Sequence, residues 1–229
     1  MERNGWGEVK RINGYFLVLS IFVLLGNFSC ANPQRSSAKQ MILLRGAGIH
    51  ASLECWEKVG KKWYRVFESI PAVVGRNGLT SYDDEKIEGD GRTPTGIFKL
   101  RRAFGYLPTV QTGLSYSQVT DSDVWVDDPN SPQYNQWVRG TPHAKSFEKL
   151  RRDDDLYKYA IVIEYNTDPI VPGKGSAIFL HVWRDDQTPT AGCVAVSEED
   201  LLKLLTWLKA DSEPIIVLTK KENRDEKNH

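Results

Sequence analysis

The chain has 229 residues, 40 % of them hydrophobic, with 30 lysines and arginines set against 30 aspartates and glutamates. That length and apolar share suit one well-buried domain and argue against a second large one. A formal net charge of zero argues against a nucleic-acid partner and supplies no electrostatic attachment to an anionic membrane.

At the N-terminus, Lys10 and Arg11 precede "YFLVLSIFVLLG", an uncharged run from Tyr15 to Gly26. It has the length of a signal-peptide apolar region and is short for a membrane span. Two exits follow. Ser29 and Ala31 are the small residues that a cut after Ala31 requires; alternatively Cys30 is the first mature residue and carries lipid, as in bacterial lipoproteins. Residues 1–31 are therefore expected to be an export signal and 32–40 a polar tether. The main domain is expected over 41–220 and a charged, disordered tail over 221–229. The protein is expected in the periplasm or cell envelope of a bacterium, membrane-anchored if Cys30 is lipidated.

Within the domain, His50 to Gly75 carries alternating runs on both sides of Gly60-Lys61-Lys62, which predicts a hairpin. Gly89 to Leu100 is turn-rich and leads into a strand. Ser115 to Pro142 is irregular, and a loop of that length is functional or disordered; Trp125, Tyr134 and Trp137 argue for order. Ala144 to Arg152 reads as a short helix, and Tyr159 to Tyr165 and Ala177 to Trp183 as buried strands. Ser197 to Ala210 is the clearest helix. Ser197 caps it with Asp200 in the capping-box position, and Leu201, Leu204, Leu205 and Leu208 share one face. Ile215 to Leu218 forms a last strand. The sum is a mainly β fold, a sandwich or mixed β domain, with one prominent helix near the C-terminus.

Export leaves Cys55 and Cys193, too few for a disulfide framework. Cys193 closes the stretch "HVWRDDQTPTAGC", which opens with His181. In the strand Ala177 to Trp183, Ile178, Leu180 and Val182 form a core face. His181 lies on the other face with Phe179 and Trp183, where a cleft wall would be. Thr190-Ala191-Gly192 is small enough for backbone to approach a ligand. A thiol is a weak nucleophile until ionised, and an imidazole can take its proton and return it to a leaving amine. The same spacing also fits an inert buried cysteine beside a strand histidine. A metal site would need two more ligands, such as His143 and Cys55, and no close ligand pair exists; no metal and no organic cofactor are expected.

Taken together, "SAIFLHVW", "TPTAGCVAVSEEDLLKLL", "GDGRTPTGIFKL" and "DDPNSPQYNQW" resemble the L,D-transpeptidase catalytic domain, the YkuD-like family, in its T-x-G-C branch, over roughly residues 41–220. The resemblance implies a mainly β fold with the cysteine at the base of a cleft and peptidoglycan stem peptides as partners. Cys193 would be the nucleophile and His181 the base, then the acid. Attack on the L-centre carbonyl of a tetrapeptide stem would release D-alanine and leave a thioester, resolved by an amine of a second stem. Backbone N–H groups of Gly192 and Cys193 would hold the oxyanion. The chain departs from the commoner S-H-G-C pattern: Ala191 replaces its histidine, and Ala195 replaces an arginine after the cysteine. Arg92 and Arg184 are candidates to supply that charge, and Thr93, Trp183 and Thr190 are further candidate substrate contacts. Asp128, Tyr134 and Trp137 are candidates for a lid or for pins that hold a long loop. His50 and His143 are expected exposed or structural. Cys55 is expected as a small buried hydrophobe, with both cysteines free and the protein a monomer. Two rivals stand: a carboxypeptidase or amide hydrolase using the same pair, and a non-catalytic peptidoglycan-binding lipoprotein.

Overall fold

The computed structural model describes residues 37–81 and 86–221. The expected export signal, Cys30 and residues 222–229 lie outside the described residues. Among the described residues the first element is β1 (Gln40–Ala47), which turns at Gly48 into β2 (His50–Val59). Ala47 pairs with His50, so the turn has two residues, and Gly48 sits at φ +59°, where a side chain would be strained. The expected second hairpin is present: Gly60, at φ +61°, and Lys61 connect β2 to β3 (Lys62–Arg65).

β4 (Ile70–Val73), β5 (Gly96–Gly105), β6 (Ser115–Gln118), β10 (Tyr159–Ile163), β11 (Phe179–Val182), β12 (Val194–Val196) and β13 (Ile215–Lys220) complete the large sheet. Its order is β1-β13-β5-β10-β11-β12-β4-β2, and β2 pairs back onto β1. The ring is therefore closed, with β3 attached to β2 and β6 to β5. Closure removes free edges from the strands of the ring. This is the mainly β domain read from the pattern of runs.

One helix, α1 (Glu198–Trp207), follows β12. The Ser197 hydroxyl accepts the Asp200 N–H at 3.1 Å and donates to the Asp200 carboxylate at 2.7 Å, which is the expected cap. Leu201, Leu204, Leu205 and Leu208 are fully buried in a core shared with Ile42, Leu53 and Ile161. Leu204→Ala is expected to cost about 2–5 kcal/mol of stability, read by denaturant unfolding.

A second, smaller core lies on the opposite side of β10 and β11. Ile161 and Leu180 enter the main core, whereas Ala160, Val162 and Phe179 enter the second with Phe104, Trp125, Tyr157 and Cys193. A three-stranded sheet contributes to this core. It consists of β7 (Asp123–Val126) flanked by β8 (Trp137–Arg139) and β9 (Phe147–Lys149). The aromatics of the long irregular segment thus mark ordered structure. The helix expected over Ala144 to Arg152 is absent: β9 occupies its centre and pairs antiparallel with β7. There Phe147 and Lys149 are exposed while the intervening Glu148 turns inward, a period of two. Pairing to β7 satisfies this backbone and overrides its local helical preference.

Candidate active site

β11 and β12 run parallel, with Leu180 opposite Val194 and His181 opposite Ala195. Extending that register places Cys193 beside Phe179. Cys193, Ala195, Phe179 and His181 therefore share one face, with His181 diagonal to Cys193. Both line a cavity of about 370 Å³ together with Glu148, Arg152, Tyr157 and Trp183. Ala195 is 1 % exposed and lies directly beside His181.

The face bearing His181 is more enclosed than an open cleft wall. Phe179 is fully buried and His181 is 5 % exposed, because the second core packs on that side. The Cys193 thiol accepts the Phe179 N–H at 3.3 Å and donates to the Ala177 carbonyl at 3.2 Å. Burial pushes this thiol up to about 12, and the charge of Glu148 adds to the shift; the Phe179 N–H bond and the nearby Tyr157 hydroxyl oppose it. Burial pushes the His181 imidazole down to about 4, against the pull of the Val182 and Leu156 carbonyls. Its Nδ1 lies 2.8 Å from the Val182 carbonyl. A carbonyl only accepts, so Nδ1 carries the proton and Nε2 is the basic nitrogen. At neutral pH the site thus holds a neutral thiol and a neutral imidazole. Among the described residues no hydrogen bond joins Cys193 to His181.

Backbone around the cysteine is fixed by two threonines. Thr190 Oγ1 donates to the Cys193 carbonyl at 2.6 Å and Thr93 Oγ1 donates to it at 3.1 Å. Gly75 N–H donates in turn to Thr93 Oγ1 at 2.9 Å. At Gly192 an added Cβ would meet the Arg92 carbonyl at 3.1 Å, a close backbone approach that favours glycine.

The candidate contacts separate on this geometry. Trp183, Arg184 and Thr190 line the cavity with Cys193 and His181. Arg92 and Thr93 do not. Thr93 is fully buried and holds the Cys193 carbonyl, so its role is positional. Gly192 N–H donates to Thr190 Oγ1 at 3.1 Å, which makes it a committed donor in the resting site. Asp128, Tyr134 and Trp137 also lie off the cavity. Asp128 accepts the Asn130 and Lys145 N–H groups, Tyr134 donates to Glu88, and Trp137 donates to Asp123, so all three pin the loop. His50 and His143 are exposed. Cys55 is free, fully buried in the main core, and burial pushes its thiol up to about 12. Among the described residues no group of His, Cys, Asp and Glu is arranged to hold a metal ion.

Several lining residues were not singled out from the sequence. Lys86, Glu88 and Asp127 come from loops, and Glu148 from β9. Arg152 and Tyr157 lie between β9 and β10. Glu148 would have been marked only by reading Phe147 to Lys149 as an alternating strand.

The closed β domain thus presents a buried cysteine and a histidine in one cavity. The family model of the YkuD L,D-transpeptidase catalytic domain matches residues 56–217. The chain belongs to that family. Among solved structures, the helical cell shape determining protein Pgp2 from Campylobacter jejuni is similar at 20 % identity and a TM-score of 0.43, covering 80 % of this chain. The match takes in 48 % of that chain, so this protein aligns with about half of its length. No curated protein matches.

Proposed function

We propose that the protein is a cysteine acyltransferase of the bacterial cell envelope acting on peptidoglycan stem peptides, with Cys193 as nucleophile and His181 as base and then acid. The observation that carries this reading is the shared cavity and strand face of Cys193 and His181. His181 Nε2 takes the thiol proton, and the thiolate attacks the L-centre carbonyl of a tetrapeptide stem. The Cys193 N–H and a Gly192 N–H released from Thr190 hold the oxyanion. Collapse expels D-alanine, whose amine receives the proton from His181. An amine from a second stem then resolves the thioester. Arg184 on the cavity rim supplies charge for the terminal carboxylate, a role Ala195 cannot fill. Export through residues 1–31, by cleavage after Ala31 or lipidation at Cys30, brings the site to its substrate.

Disaccharide-tetrapeptide incubated with the purified protein tests this by mass spectrometry of the products. Cross-linked dimers are expected. Tripeptide and D-alanine without dimers would make water the acceptor, and a chain that binds peptidoglycan without converting it would be a binding module. His181→Gln is expected to lower turnover about 10²–10⁴-fold. Because burial holds the imidazole at about 4, the acid limb of kcat/KM should fall near that value. An acid limb that persists unchanged in His181→Gln would contradict His181 as the base.

A further inference from the structure

Forming a thiolate and an imidazolium in this enclosed cavity is uphill, because burial raises the thiol and lowers the imidazole. Something near the sulfur must stabilise the thiolate. Tyr157, just ahead of β10, is 4 % exposed. Its ring meets Phe104, Phe179 and His181 edge-on, with centroids 6.0, 5.5 and 5.1 Å away. The Arg152 guanidinium lies 5.1 Å from the ring centre. So held, its hydroxyl donates to Glu148 Oε2 at 3.0 Å. Tyr157 and Cys193 line the same cavity and pack in the same small core, and the hydroxyl lies near enough to the sulfur to lower its pKa. The acyl transfer described above uses neither Tyr157 nor Glu148, although a half-buried carboxylate beside a nucleophile carries a desolvation cost.

We propose that Tyr157 is a third member of the site, whose hydroxyl turns from Glu148 to the Cys193 sulfur as the thiolate forms, and that Glu148 controls this turn. The inference rests on Cys193 being the reactive thiol. In the proton balance, the S–H bond of Cys193 breaks and an N–H bond forms at His181 Nε2. Tyr157 keeps its proton and only redirects it. A charged Glu148 competes for that proton and repels the thiolate. A neutral Glu148 donates its own proton to the tyrosine oxygen and frees the phenolic O–H for sulfur. Burial pushes the Glu148 carboxyl up, which favours the neutral form. The charged and titratable groups that share the cavity with the sulfur and Glu148 are Arg152 and Tyr157 between β9 and β10, His181 on β11, Arg184 after it, and Arg76, Lys86, Glu88 and Asp127 from loops; Asp127 and Glu88 add to the upward shift of Glu148.

The two neighbours should therefore act in opposite directions. Tyr157→Phe removes the donor and keeps the ring. Glu148→Gln removes the charge, and its amide can donate to the tyrosine oxygen. The test is the rate of iodoacetamide alkylation of the mature protein across pH. It is quantified by mass spectrometry on the peptide containing Cys193, separately from Cys55, with thermal melts reporting folding. Near pH 8, alkylation should slow about tenfold in Tyr157→Phe and quicken about tenfold in Glu148→Gln, since a tenfold change in thiolate fraction corresponds to one pH unit. Unchanged profiles, or changes in the same direction, would overturn the proposal. Should Tyr157→Phe not fold, Glu148→Gln decides alone, and an equal or slower rate rejects the role of Glu148. No peptidoglycan enters the assay, so a failure of the acyl-transfer reading is scored separately by its own products.

Discussion

Cys193→Ala is expected to lower D-alanine release from a tetrapeptide stem by at least about a thousandfold while leaving the protein folded. The chemical argument is that no other described side chain in the cavity can form a thioester. The fold should survive because alanine keeps the Cβ in the second core and loses only the sulfur. Its hydrogen bonds with Phe179 N–H and the Ala177 carbonyl are 3.3 and 3.2 Å long, and sulfur is a weak partner in both roles. The loop keeps its shape through the Cys193 carbonyl, which Thr93 and Thr190 hold whatever side chain is present. Turnover measured beside a thermal melt separates the two effects. Substantial turnover in a folded Cys193→Ala protein would refute the mechanism. Cys55→Ala supplies the contrast: it changes packing in the main core and leaves the chemistry intact.

The second large effect is on stability. Asp123 is fully buried at the start of β7. One carboxylate oxygen accepts Trp137 Nε1–H and Arg139 Nε–H, each at 2.8 Å. The other accepts the Thr120 N–H and hydroxyl at 2.8 and 2.7 Å and Arg139 Nη2 at 3.2 Å. Burial pushes this carboxyl up, but hydrogen bonds from Arg139, Thr120 and Trp137 outweigh it and hold the group at about 2. Asp123→Ala strands these donors in and around the small sheet and is expected to cost about 3 kcal/mol. The pH dependence has a definite sign. A carboxyl held below its ordinary 3.8 stabilises the fold above that pH, and the contribution is lost as pH falls toward about 2. Wild-type stability should therefore drop across that window more steeply than that of Asp123→Ala. Parallel acid limbs in urea melts of the two proteins would contradict this account. The same sheet carries Glu148, so loosening β7 should also disturb the cavity.

Much of the fold can be read from runs of residues whose environment is local. The Gly60 hairpin needs a glycine at positive φ, the Ser197 cap needs its partner at Asp200, and the leucines of α1 repeat on one face. Closure of the ring through β1 and β2 has no such local signature, because it depends on register between strands distant in sequence. β9 is not legible in the sequence, because three residues are too few to show a period. The two alternating sets in Ala177 to Trp183 are visible in the sequence, but burial of the second set is not. That depends on Trp125 and the small sheet, which come from an irregular segment.

The candidate site divides in the same way. Cys193 and His181 stand out by residue type, and their motifs carry the family resemblance. Tyr157 and Glu148 belong to no motif, and only the packing of β9 and the β10 approach over β11 brings them to the cavity. Arg92 stood out by its charge, yet its side chain does not line the cavity. Thr93, beside it, is used for its hydroxyl on the Cys193 carbonyl. Types of residue are legible one by one, whereas a cavity is a property of several distant segments at once.

Acylation of Cys193 by a stem peptide can be caught by mixing the protein with disaccharide-tetrapeptide, quenching in acid within the first turnovers, and weighing the intact protein and its peptides. An added disaccharide-tripeptide is expected on the peptide containing Cys193, released by hydroxylamine and absent in Cys193→Ala. Turnover without any adduct on Cys193, or an adduct that survives in Cys193→Ala, would contradict it.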